Sequence, residues 1–347
     1  MNLITFFGAA SVSVLAVAAV AQDAELLVLD YPGFDNPAFH QTYVNAHGAG
    51  PTFSFFSDEG EAFQKVRSGF RADVAEICAG SVSLWTESGI IEPWDTSRIT
   101  EYANLDANLS GNAIGTESED VYFVPFYFGS TAIAYNPDEV PAEDVASLAV
   151  FHNPAYAQRM TIPDNVDDAF ALAYLATGVT DWQTATDEQF DAAVEWLRAA
   201  HVNLRTYWSD PAELSQLMSS GEILVAWAWN ETYPTMVEEG RPIAFQRETA
   251  EGSSVWLCGY VNLVDGQGNE DKAYDYLNAV LDPSATAPLL ASGFAHANAA
   301  ALANTPMEEL VASGVGPVTV PLLAQQPISV EMRVRQAEAF ELIKSGF

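Results

Sequence analysis

The chain of 347 residues is short of positive charge. Only 13 Lys and Arg stand against 47 Asp and Glu, a formal net charge of −34, and the first cation after the initiator is Lys65. Phosphate backbones demand dense cationic surface, so this composition excludes a nucleic-acid partner. It excludes docking on anionic membrane for the same reason. High net charge keeps a chain soluble and monomeric, and salt screens its long-range field within about 8–10 Å. Cysteine is nearly absent: Cys78 and Cys258 are too few for a disulfide scaffold and are not spaced as a metal site. The five histidines (His40, His47, His152, His201, His296) form no HExxH-like cluster. No metal or cofactor is expected. Catalytic signatures such as GxSxG are missing, and scattered acids carry no specificity in so acidic a chain.

Long apolar runs are confined to one place. Residues 3–21 read LITFFGAASVSVLAVAAVA and end in Ala19-Val20-Ala21. This fits a secretory signal cleaved before Gln22, although the usual Lys or Arg after Met1 is missing. The expected location is therefore the periplasm, with the mature chain beginning at Gln22. Half the residues are apolar and 17% are charged, which supports packed cores, and the length suits two domains.

Strand-like and helix-like segments alternate, which predicts α/β architecture. Strands are expected at Glu25–Leu29, Pro51–Phe56, Asp73–Cys78, Tyr122–Val124, Thr131–Tyr135, Ile223–Trp229 and Val255–Val264. Pro125–Gly129 is read as a break. Helices are expected at Phe39–Ala46, Glu59–Gly69, Ser81–Ser88, Asp167–Ala176, Asp187–Ala200, Glu213–Ser220, Asp271–Val280 and Glu331–Lys344. Thr116–Asp120 reads as a solvated loop. No internal repeat or low-complexity linker is visible.

Four blocks stand out: DVAEICAGSVSLWTESGIIEPWDTSRITEYANLD (73–106), VYFVPFYFGSTAIAYN (121–136), SGEILVAWAWNE (220–231) and KAYDYLNAVLDPSATAPLLASGFAHAN (272–298). In order and spacing they resemble the periplasmic spermidine/putrescine (polyamine)-binding proteins of ABC transporters. The resemblance implies a two-lobed periplasmic-binding-protein fold, type II-like, with two hinge crossings near Ile133–Tyr135 and Val255–Leu257. The first lobe would take residues 22–134 and 257–303, and the second 135–256 and 304–347. The implied function is capture of a solute by lobe closure and its delivery to an inner-membrane permease, without catalysis.

By the same resemblance the cleft is lined by Tyr31, Phe34, Trp229, Trp256 and Phe294, which can attract an organic cation through their ring faces. Trp227, Trp85, Trp94, Trp182 and Trp196 read as packing. The family's acid two residues after the hinge tryptophan is replaced by Cys258. Its acidic pair at the start of the second lobe falls on Asn165 and Asp168, with Asp164 and Asp167 nearby. Aromatics kept and an acid lost favour a methylated onium zwitterion, betaine-like or dimethylsulfoniopropionate, because such a cation has no N–H donors to satisfy. Ser130, Thr131, Asn230 or an arginine would serve its carboxylate. The alternative is a polyamine held partly by Asp168. A ligand-loaded adaptor for a membrane chemoreceptor would have the same cleft. The resemblance also places Cys258, on the re-entering strand, antiparallel beside Cys78 at the end of the third strand. A disulfide within the first lobe is the expectation.

Overall fold

The computed structural model describes residues 22–106 and 120–347, so the expected signal segment and most of the expected loop at 116–120 lie outside the described residues. Twelve strands form one curled sheet among the described residues. They are β1 (Gln22–Asp30), β2 (Gly50–Phe55), β3 (Val74–Cys78), β4 (Ile91–Glu92), β5 (Phe123–Tyr135), β6 (Met160–Pro163), β7 (Leu204–Trp208), β8 (Val225–Trp229), β9 (Ala244–Gln246), β10 (Ser253–Leu263), β11 (Ala295–His296) and β12 (Leu322–Ala324). The path runs β2-β1-β3-β10-β5-β8-β6-β7. The fold is mixed α/β: β1 is parallel to β2 and β3, and β6 is parallel to β7 and β8. β10 and β5 run antiparallel to their neighbours on the main path.

The cores fall into two sets. Leu26, Val28, Val74, Phe126, Tyr260, Tyr276 and Leu277 share one interior, with Leu29, Ile77, Trp85 and Val261 in a second interior of the same lobe. Ile133, Ile162, Phe170, Tyr174, Leu197, Trp227 and Phe340 form the other lobe's main core. β5 contributes Phe126 to the first set and Ile133 to the second, so this one strand passes through both.

The helix Val166–Ala176 is buried along nearly its whole length. The helix Asp187–His201 shows its Phe190–Val194–Leu197 stripe inward and begins on a capping box from Thr186 and Gln189. The C-terminal helix Val330–Lys344 lies on these two.

Two expectations need correction. Pro125–Gly129 does not interrupt the strand; β5 is continuous over 13 residues. The register with β10 slips there: Cys258 faces Tyr127 and Gly259 faces Pro125, leaving Phe126 as the extra residue of a bulge. A bulge is how a sheet accommodates a proline, which has no N–H to give to the ladder. Gly259 is needed opposite, because a Cβ there would overlap the Val124 carbonyl. The short strands β4, β6, β7, β9, β11 and β12 are absent from the sequence reading. At the crossing itself, β12 lies beside Ser253–Val255 of β10, so the C-terminal segment also runs along this junction.

Candidate functional site

Side chains alternate across a strand, so Tyr127, Gly129 and Thr131 of β5 share one face. Cross-strand partners carry the face outward. Cys258, Trp256 and Ser254 oppose these three residues on β10, and Trp229 of β8 opposes Thr131 on the other side. The two tryptophans therefore stand on one face of the sheet, on either flank of β5. Gly129 makes this possible: a Cβ there would overlap the Trp256 ring and the Asn230 side chain.

On the first-lobe side the aromatic residues meet at steep angles. Trp256 stands 5.6 Å from Tyr127 at 81° and 5.8 Å from Phe294 at 74°. Phe34 stacks on Phe294 at 5.9 Å and tilts against Tyr127 at 4.8 Å. Phe34 is buried, whereas Trp256 and Phe294 are only partly so. Phe34 thus backs Phe294. Tyr31 joins the same cluster's rim and packs on Phe56 at 4.3 Å. Tyr127 is the aromatic that the sequence reading missed; its signal was the alternation in β5, hidden by the assumed break at Pro125–Gly129. Its hydroxyl donates to the buried Glu76.

On the second-lobe side Trp229 sets its ring against Trp208, 4.7 Å away at 77°, and its Nε1 donates to Asp168 Oδ2 at 2.8 Å. Thr131 Oγ1 donates to the other oxygen of Asp168. Burial pushes this carboxyl up to about 6, against the pull of those two donors.

The other candidate polar residues have different work. Asn165 caps the helix, its Oδ1 accepting from the Asp168 N–H at 3.1 Å. Asp164 pairs with Lys344 at 2.6 Å and Asp167 with Arg333 at 3.2 Å. Of these carboxylates Asp168 alone has no cationic partner among the described residues. Three of the donors expected to serve a ligand carboxylate are committed inside the protein, whereas Arg241 lines the pocket described below and lies 4.0 Å from Glu239. Ser130 Oγ donates to the Gly314 carbonyl, Thr131 to Asp168, and Asn230 Nδ2 to the Gly293 and Ser313 carbonyls. Trp227 is fully buried and donates to the Asp168 carbonyl at 3.1 Å.

Glu231 was also missed. It lines a pocket of about 610 Å³ with Pro211, Ser215 and Thr232 of the second lobe and Ser292 and Phe294 of the first. Burial raises its carboxyl to about 7, with Asp210 and Asp168 adding in the same sense. Cys78 and Cys258 oppose each other in register and are joined as a disulfide on the Trp256 face of β10. Among the described residues no cluster of three or more His, Cys, Asp or Glu could hold a metal, and no helix is long and apolar enough to cross a membrane.

Known proteins share this fold. Residues 44–312 match the family described as bacterial extracellular solute-binding protein. The spermidine/putrescine-binding periplasmic protein of Salmonella typhimurium is 22% identical over 270 residues, 77% of this chain and 75% of that protein. The putrescine/agmatine-binding protein of Pseudomonas aeruginosa is 25% identical over 237 residues, 64% and 63% of the two chains. Among solved structures, the spermidine/putrescine ABC transporter substrate-binding protein of Streptococcus pneumoniae superposes with a TM-score of 0.76 at 16% identity, covering 94% of this chain and 99% of that one. A periplasmic binding protein of A. tumefaciens B6 in complex with glucopine gives 0.74 at 18% identity, covering 92% and 99%. With more than half its length matched by the family model and the same fold throughout, the chain belongs to the bacterial extracellular solute-binding proteins.

Proposed function

We propose that this protein is the capture component of an ABC importer, that it works in the periplasm, and that it takes a small organic cation in the cleft between its lobes. The lobe limits given above are part of this proposal, as are the ligand-contacting roles of Tyr31, Phe34, Trp229, Trp256, Phe294 and Asp168. The observation that carries it is Asp168. A buried carboxylate held only by a hydroxyl and an indole N–H, beside aromatic faces, lacks the countercharge that would offset its desolvation. A bound cation supplies it. The names of the relatives, which bind polyamines, support the same charge class.

Within that class the reading favoured here is an amine with N–H donors. Asp168 and Glu231 offer acceptors, while Ser130, Thr131 and Asn230, three of the donors proposed for a ligand carboxylate, are already engaged. A methylated onium compound is the second reading. It is supported by the right-angled meeting of Trp256 with Tyr127 and Phe294, and by the neutral disulfide that stands where the relatives' acid was expected.

Calorimetric titration with putrescine, spermidine, glycine betaine and dimethylsulfoniopropionate tests both. Amines are expected to bind and Trp229→Ala or Trp256→Ala to weaken them at least tenfold, about 1.4 kcal/mol. Trp182→Ala, in the second-lobe core, controls for general destabilisation. Binding of the onium compounds alone would move the conclusion to the second reading. Binding of neither class, with folded protein, removes the proposal.

A further inference from the structure

Asp167 and Asp168 are adjacent but differ in what they hold. Arg333, from the C-terminal helix, places Nη1 3.2 Å from Asp167 Oδ1 and donates from the same nitrogen to the Gly80 carbonyl at 3.0 Å. Its Nη2 lies 3.6 Å from Glu59 Oε2. Asp167 belongs to the second lobe; Glu59 and Gly80 belong to the first. Every other ion pair among the described residues stays within one lobe. The guanidinium is mostly buried, its side chain 17% exposed.

The surroundings are built to hold it. Gln325 Nε2 donates to Asp167 Oδ2 at 3.0 Å, and Ser81 Oγ donates to Glu59 Oε2 at 2.7 Å. Gly80 leaves the gap: an added Cβ would come within 2.8 Å of Asp167 Oδ2 and 3.2 Å of Arg333 Nη1. Two carboxylates and a carbonyl from both lobes, converging on one cation beside the Asp168 end of the cleft, form the acceptor set that a primary ammonium with its three donors requires. Here the protein fills that set itself.

We propose that Arg333 is a specificity-determining residue: a resident cation that occupies an ammonium seat between Glu59, Gly80 and Asp167 and so shortens the cleft by one charge, excluding longer polycations. This rests on the reading of the cleft as a cation site. Solute then has the stretch from Asp168 towards Phe294 and Glu231, and the net negative charge it meets is lower by the pairing of Asp167 and Glu59.

The test compares wild type, Arg333→Gln, Arg333→Lys and the double variant Glu59→Gln with Arg333→Gln, each first checked for folding by circular dichroism. Spermidine and putrescine are titrated calorimetrically. The spermidine-to-putrescine affinity ratio is expected to rise at least tenfold in Arg333→Gln. Arg333→Lys should keep the wild-type ratio, and the double variant should lose most of the gain. An unchanged ratio in folded Arg333→Gln, or a gain that survives in the double variant, overturns the proposal. A second measurement needs no solute in the cleft. Arg333→Ala vacates the seat, so millimolar methylguanidinium should raise its thermal midpoint by several degrees more than it raises that of wild type; equal shifts overturn the proposal. If no amine binds any variant, the cation-cleft reading fails, and the methylguanidinium comparison decides the role of Arg333 alone.

Discussion

At the scale of single residues, the proposed site makes protonation of Asp168 and Glu231 the source of pH dependence in solute binding. Burial holds the Asp168 carboxyl at about 6, above its ordinary 3.8. The free protein therefore loses some stability as pH rises from 3.8 through 6, because the folded state must then carry a buried charge that the unfolded state carries at less cost. A bound cation reverses the balance by favouring the carboxylate. Affinity for an amine is expected to fall as pH drops below 6, approaching tenfold per unit once Asp168 is mostly protonated. Glu231, raised to about 7, begins the decline earlier and in the same direction. Titration of the amine at pH 5, 6, 7 and 8 checks this. Asp168→Asn should weaken binding at pH 8 and flatten the part of the profile near 6. A profile as steep as wild type in that variant would place the proton elsewhere.

At the scale of elements, most regular segments could be read from pattern, because their apolar periodicity coincides with burial. The stripe of Asp187–His201 is such a case, and β8 is a continuous apolar run buried on both faces. The losses have separate physical causes. β6 and β7 are 4 and 5 residues long and parallel to their neighbours, so they carry too few residues to show a period. β5 was read as two strands because a proline argues against a ladder, and only the bulge at Phe126, a property of the pair of strands, lifts the objection. That error hid Tyr127. Glu231 was hidden for a different reason: whether one acid among 47 acidic residues has a partner depends on tertiary contacts. The facing of Cys78 and Cys258, in contrast, followed from the strand order that the family resemblance implies, and the register agrees with it.

β5 also permits an element-scale prediction. Gly129 is the contact point between the strand and the Trp256 ring, with Asn230 on the far side. In Gly129→Ala the ring must move, and Asn230, whose Oδ1 accepts from the Ser130 N–H at 2.9 Å, is displaced with it. Overpacking of this kind typically costs about 1–3 kcal/mol. The variant is expected to unfold at lower temperature and to bind amine at least tenfold more weakly, with a changed tryptophan emission. Wild-type affinity in Gly129→Ala would show that the position of Trp256 is not part of the site.

At the scale of the whole molecule, the two sets of cores meet through a narrow junction. β5 and β10 pass through it side by side, β12 runs along β10 at Ser253–Val255, and the Asn230 amide ties β8 to the Gly293 and Ser313 carbonyls. A junction of paired strands bends by small changes of twist spread over several residues, which suits rigid lobes that close on a solute. On the proposed reading the sides of the cleft belong to different lobes: Tyr127 and Phe294 lie in the first, against which the crossing residue Trp256 packs, while Asp168 and Trp208 lie in the second. A cation between them gains both sets of contacts only when the lobes approach, so binding energy should be spent on closure. In solution the free protein is expected to populate more open arrangements, helped by mutual repulsion in a chain of net charge −34. Small-angle scattering should show the radius of gyration falling when a saturating amine is added, and Trp229→Ala should need correspondingly more amine to reach the same compaction. Because salt screens the repulsion, the free protein should also be somewhat smaller at 0.5 M than at 0.05 M salt, roughly the range over which the Debye length falls from above 10 Å to a few ångströms. A tightly bound amine that leaves the scattering curve unaltered at both salt concentrations would argue for capture on a preformed surface and against closure of the lobes.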